Sequence, residues 1–178
     1  MAFENDLTAA FCQAFRMHPA GVVVISAMTE DGPQALTVSS LISISAKPPV
    51  VAFSLSGHSA RSAAILTAET AVLHFLKPAD QQLAQVCATP GANRFDGAHP
   101  WEILETGEPR FTAVATWFRA RLDRRMPLEA ATLVVATLQN GTVPPSDLSA
   151  GEAVLVYVDR GWHEVASDHV QVLKEPTR

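Results

Sequence analysis

The stretch LTVSSLISISAKPPVVAFSLSGHSARS, residues 36–62, decides how the chain is read. It has the pattern of a strand, a turn, a second strand and the entry to a helix. From 36 to 45 the residues alternate. Leu36, Val38, Ser40, Ile42 and Ile44 fall on one face, and Thr37, Ser39, Leu41, Ser43 and Ser45 on the other. Such alternation predicts one continuous strand with an apolar and a hydroxyl-rich side. The KPP that follows ends it, because proline cannot donate to a ladder. VVAFSLS predicts the next strand, and Ser59 is placed to cap a helix over ARSAAILTA. Hydroxyls crowd this region at Thr37, Ser39, Ser40, Ser43, Ser45, Ser54, Ser56, Ser59 and Ser62. Strand interiors favour Val, Ile and aromatics, and a buried hydroxyl without a partner costs about 1–3 kcal/mol, so these groups must face something polar.

Outward from this stretch, NDLTAAFCQAFRMH predicts an amphipathic helix, with Leu7, Phe11, Ala14 and Phe15 at helical spacing and Asn5 or Asp6 as cap. GVVVISAM is an apolar β-branched strand and TEDGP a hairpin signal. AVLHFL predicts a strand and PADQQLAQVCA a helix entered through Pro78. Residues 89–110 read as a long irregular segment with two Gly-containing turns. FTAVATWFRARL, ATLVVATLQN and AVLVYVD complete the strands. A helix followed by many strands with short helices between them predicts an α+β, mainly β fold. Its antiparallel sheet is expected to close into a barrel that removes its edges. No linker, repeat or low-complexity tract divides the chain, so residues 1–178 are expected to form a single domain.

Composition narrows the function. With 48% apolar and 17% charged residues, the chain of 178 residues has a core-forming composition. A net charge of -5 argues against a nucleic-acid or anionic-membrane binder. No apolar run has the length of a membrane span, and the N-terminus MAFENDLTAAF carries acids where a secretory signal would be basic. Two cysteines, Cys12 and Cys87, are too few for a disulfide framework. A cytoplasmic location is the expectation.

The usual catalytic signatures are missing from the sequence. No Gly-rich dinucleotide fingerprint, Walker loop, CxxC, HExxH or GxSxG is present, and the six histidines lack metal-ligand spacing. RARLDRR, residues 119–125, alternates along a strand and reads as a solvated face. The hydroxyl row remains. GHSARS supplies Gly57, a capping Ser59, the cation Arg61 and Ser62 in the first helical turn. A helix N-terminus with free N–H groups beside an arginine is a phosphate site, and the hydroxyls before it can bond the polar edge of a flat ring. The pattern alone also allows a solvent-facing sheet side with Ser59 as an ordinary cap.

GVVVISAMTEDGPQALTVSSLISISAKPPVVAFSLSGHSARSAAI resembles the opening of the flavin reductase-like family with the FMN-binding split-barrel fold. NRFDG is similar to that family's Arg/Lys-Phe-x-Gly loop, GEPRF to its G-x-P turn and VLVYVDRGWHEV to its closing strand. The resemblance spans about residues 11–165. It implies an antiparallel split β-barrel with short peripheral helices. It further implies a cofactor site in which Thr37, Val38, Ser39 and Ser40 line the flavin ring. Ser54, Leu55 and Ser56 then follow the ribityl chain, and Ser59, Arg61 and Ser62 hold the phosphate, with Arg94 and Phe95 contributed by the downstream loop. Such proteins are homodimers that reduce FMN or FAD with NADH or NADPH by hydride transfer from nicotinamide C4 to flavin N5. Many supply a partner monooxygenase. The alternative the resemblance leaves open is a flavin-binding electron-transfer or carrier protein on the same fold. One departure bears on that choice: where relatives carry Gly-Asp-His before a strand, this chain has Glu129, Ala130 and Ala131. His163 and His99 are the candidates to replace that histidine.

Overall fold

The computed structural model describes residues 4–145 and 153–166. In chain order its helices are α1 (Glu4–Arg16), α2 (Ala60–Thr67) and α3 (Gln81–Ala88). The strands are β1 (Ala20–Gly21), β2 (Val23–Thr29), β3 (Gly32–Val38), β4 (Ile42–Ala46), β5 (Pro49–Ser56), β6 (Thr70–Phe75), β7 (Trp101–Ile103), β8 (Pro109–Phe111), β9 (Thr116–Pro127), β10 (Ala131–Thr142), β11 (Ala153–Val158) and β12 (Gly161–Ala166). A seven-stranded antiparallel sheet runs in the order β3-β2-β6-β9-β10-β5-β4. A three-stranded sheet, β1-β11-β12, and a small hairpin, β7-β8, accompany it. Among the described residues no helix is long and apolar enough to cross a membrane.

The unbroken apolar run before residue 29 follows from burial on both faces of β2. Val23, Ile25 and Ala27 point into one core with Phe53, Leu55, Ile65, Leu73 and Val134. Val24 points into a second core with Ala35, Leu76, Leu83, Phe111 and Leu155. Each such side chain contributes about 1.5–3 kcal/mol on full burial. The one hydroxyl in the strand interior, Ser26, donates to the Pro109 carbonyl at 2.5 Å. Thr29 pairs with Gly32 across the TEDGP turn, where Gly32 takes φ +93.

Three expectations about the strands are corrected. Residues 36–45 are not one strand. β3 pairs with β2 and β4 with β5, and the chain leaves the ladder at residues 39–41. At that point the Ser40 hydroxyl donates to the Ser54 carbonyl at 3.1 Å and accepts the Ser54 N–H at 3.0 Å, tying the chain to β5. Ile42 and Ile44 consequently lie on an exposed edge strand. Second, the seven-stranded sheet is not closed by hydrogen bonds, and β3 and β4 are its two edges. Third, residues 89–110 contain β7 and the start of β8, joined by the turn in which Gly107 has φ +98.

The arginine-rich strand is only partly a solvated face. Arg119 pairs with Glu108 at 2.8 Å. Arg125 donates to the Leu66 carbonyl at 2.6 Å and to the Ala68 carbonyl, satisfying the C-terminal end of α2. Helix α1 starts at Glu4, so neither Asn5 nor Asp6 is its cap; the side chains of residues 4–6 lie outside the described residues.

Candidate functional site

A cavity of about 1000 Å³ opens where the ends of β3 and β5 meet the N-terminus of α2 and the C-terminus of α3. That volume is at the upper end of the range for small-molecule sites, about 300–1,000 Å³. Thr37, Val38, Ser39, Ser40, Ser54, Leu55, Ser56, Ser59, Arg61, Ser62 and Arg94 all line it. Phe95 does not. Its ring stacks on Phe111 at 5.2 Å and meets Trp101 edge-on at 4.9 Å, against the second core.

One end of the cavity brings together the N-terminus of α2 and the side chains of Arg61 and Arg94. Ser59 caps α2 by accepting the Ser62 N–H at 3.3 Å. The first-turn N–H groups beyond it have no helical acceptor. The Ser62 hydroxyl belongs to a residue only 3% exposed and makes no hydrogen bond among the described residues. Arg61 leans on the Ala92 carbonyl through Nη2 at 3.3 Å. Arg94, 4% exposed, reaches the same carbonyl through Nη1 and the Cys87 and Thr89 carbonyls through Nη2. It thereby fastens the C-terminus of α3 and the loop beyond it. Its Nε is buried without a partner. Burial, and then the neighbouring Arg61 charge, lower the Arg94 pKa. Two guanidiniums on one carbonyl, a buried unpartnered Nε and a hydroxyl with no partner among the described residues fit a phosphate group, whose charge and acceptor oxygens would offset the two cations. The Cys87 thiol on the cavity wall is pushed up to about 12 by burial, so it stays protonated and is no nucleophile at neutral pH.

The middle of the cavity carries the hydroxyl row, and most of these groups already have partners. Thr37 donates to the Ala84 carbonyl of α3 at 2.7 Å, Ser40 is spent on Ser54, and Ser56 accepts the His58 N–H at 3.3 Å. Ser39 is exposed and makes no hydrogen bond within the described chain, so its hydroxyl is free for a ligand. Ser43 and Ser45 lie on the exposed β4, away from the cavity. Ala130 and Ala131 line the cavity next to Ser56 and Gly57: Ala131 pairs with Ser56, and the Gly57 N–H donates to the Ala130 carbonyl at 2.9 Å. A Cβ on Gly57 would lie 3.3 Å from that oxygen, a tight approach.

Two of the three residues at the place where the resemblance implied Gly-Asp-His, Ala130 and Ala131, are therefore on the cavity wall. Neither His99 nor His163 lines the cavity. His58 does line it. The signal for His58 was its position between Gly57 and the capping Ser59. Asp31 and Gln34, in the TEDGP hairpin and the strand after it, also line the cavity and were not among the expected site residues.

The flavin reductase like domain model matches residues 15–166. The NADH:FMN oxidoreductase of Rhodococcus qingshengii is 34% identical over 162 residues, covering 88% of this chain and 84% of its own. The crystal structure of a flavin reductase domain protein from Arthrobacter sp. FB24 superposes with a TM-score of 0.82 at 28% identity, over 95% of this chain and 99% of its own. The styrene monooxygenase flavin reductase from Pseudomonas putida S12 shares the fold, with a TM-score of 0.74 at 21% identity over 87% of this chain and 96% of its own. With the cavity, its anion end and these likenesses together, the chain belongs to the flavin reductase-like domain family.

Proposed function

We propose that this protein reduces flavin, FMN in preference to FAD, with NADH or NADPH as hydride donor. The observation that carries the reading is one continuous cavity. It joins the anion end at Arg61, Ser62 and the α2 N-terminus to the free hydroxyl of Ser39. The 34% identity to an NADH:FMN oxidoreductase supports the same chemistry. When bound, the flavin supplies the hydride-accepting ring and the dinucleotide supplies the hydride. The residues of the chain bind and orient. Arg61, Ser59 and Ser62 hold the phosphate, with Arg94 fixing the loop behind Arg61. Ser54, Leu55 and Ser56 flank the ribityl chain, and Thr37, Val38, Ser39 and Ser40 border the ring. Holding two rings in contact is the main task of such a site, and it needs no acid–base dyad.

Steady-state NADH oxidation with added FMN tests the reading. Turnover that depends on both reactants is expected, and absence of turnover with either donor contradicts it. The second reading, a flavin carrier or electron-transfer protein, is favoured by alanine at residues 130 and 131. It predicts flavin binding with no NADH oxidation.

The finer features of the reading follow. The two sheet edges, β3 and β4, are consecutive in the chain and face each other as a split barrel, supported by the Ser40–Ser54 tie. The protein works as a homodimer, supported by the apolar face of α1, where Leu7, Phe11 and Phe15 are 72%, 56% and 61% exposed. Reduced flavin passes to a partner monooxygenase in the cytoplasm. The shared fold with a styrene monooxygenase reductase supports the first part, and two cysteines without a disulfide support the second.

A further inference from the structure

A second cavity, of about 1020 Å³, lies between the end of α1, β1 and the β11–β12 turn. It shares Ser39, Ser40 and Ser54 with the first, so the two adjoin at these residues. The turn has an unusual backbone. Asp159 and Arg160 take φ 49 and φ 60, consecutive left-handed residues with no glycine at either position. Hairpin turns of this shape strongly prefer Gly at the second position, because a Cβ is disfavoured there. The turn is fastened to α1 twice. The Asp159 carboxylate accepts from Arg16 Nε, and the Asp159 N–H donates to the Arg16 carbonyl at 2.7 Å. That pairing neutralises Arg16. Arg160, held in the disfavoured conformation on the cavity wall, makes no hydrogen bond or ion pair among the described residues. A strained non-glycine residue presenting an unspent cation to a cavity points to a ligand anion.

Building on the flavin reductase reading, we infer that this second cavity receives the diphosphate of the nicotinamide donor and that Arg160 is the cation that contacts it. A donor whose nicotinamide lies over the ring at Ser39 has its diphosphate within the adjoining space. The local positive charge also selects an anion on a chain whose net charge is -5. The adenylate of FAD offers the same diphosphate chemistry, and the experiment separates the two.

The test is Arg160→Gly, with Arg160→Lys as the conservative variant. Glycine suits a positive φ, so Arg160→Gly is expected to melt no lower than the wild type. Its KM for NADH and NADPH should rise on the order of ten-fold, the loss of one charge-assisted hydrogen bond, with the effect in KM rather than kcat. Lysine should restore most of it, and FMN and FAD affinities should not move. An unchanged KM in Arg160→Gly overturns the inference, as does weaker FAD binding with an unchanged donor KM. A wild type that oxidises neither donor refutes the flavin reductase reading instead. In that case calorimetric titration with NAD+ still decides: weaker binding to Arg160→Gly supports the assignment, and equal binding overturns it.

Discussion

Ser39 and Ser40 are neighbours with different duties. Ser40 is consumed by Ser54, whereas Ser39 faces the cavity with nothing bonded to it. Ser39→Ala is therefore expected to impair flavin binding and leave the melting temperature nearly unchanged. Ser40→Ala should lower stability by about 1 kcal/mol, the usual net worth of a hydrogen bond. Paired flavin titrations and thermal melts check both, and loss of flavin in Ser40→Ala alone would reverse the assignment. At the anion end, Arg61→Ala should weaken FMN by roughly ten-fold or more and riboflavin far less, since a bond to a charged group contributes about 1.5–3 kcal/mol. Equal losses for the two ligands would remove Arg61 from the site. The cavity-lining residues between 37 and 62 were legible in the sequence because their spacing is local. Which hydroxyls stay free was not, since the partners of Thr37 and Ser40 are Ala84 and Ser54, distant in sequence. Phe95 misled for the same reason: its ring partners Trp101 and Phe111 come from β7 and β8.

Among the elements, β6 is held by a buried histidine, His74. His74 Nδ1–H donates to the Val24 carbonyl of β2 at 3.1 Å, and Nε2 accepts the Phe111 N–H of β8 at 3.0 Å. Burial lowers its pKa to about 4, opposed by the Val24 bond and assisted by the Arg110 charge. The unfolded chain takes up the proton near the ordinary value of 6.5, so the contribution of neutral His74 is complete above that pH and is lost as pH falls towards 4. From about pH 7 to about pH 4 the loss should be about 3 kcal/mol. Denaturant unfolding across this range, compared with His74→Asn, checks it, and parallel pH profiles for the two would contradict it. Glu108 acts in more acid solution. Burial raises its pKa, but hydrogen bonds from Thr106, Thr70 and Arg119 outweigh burial and hold it below the ordinary value. In the β9–β10 hairpin, a Cβ on Gly141 would collide with the Trp117 carbonyl and the Phe118 ring. Gly141→Ala should accordingly cost more than the few tenths of a kcal/mol of an ordinary surface change. Alternation read correctly as far as Val38. It then ran on through residues 39–41, because a tie to β5 overrides a periodic pattern without altering it.

For the whole molecule, sequence pattern set out the mainly β architecture with its three helices, because strand burial and helix caps are written locally. The open edges of the sheet were not legible, since closure depends on where β3 and β4 meet other strands. The exposed apolar face of α1 completes its hydrophobic burial only against another surface, and a second copy is the occupant proposed here. Sedimentation should give a dimer, with Phe11→Glu and Phe15→Glu together shifting it to monomer. A wild-type monomer at micromolar concentration would contradict that assembly. The central claim is that flavin held in the Ser39–Arg61 cavity accepts hydride from a nicotinamide donor at that site. Anaerobic rapid mixing of FMN-loaded protein with NADH, and separately with NADPH, tests it most directly. The account predicts single-turnover bleaching of the flavin band with at least one donor, and reduced FMN affinity in Arg61→Ala. Flavin that binds tightly and stays oxidised with both donors would contradict it.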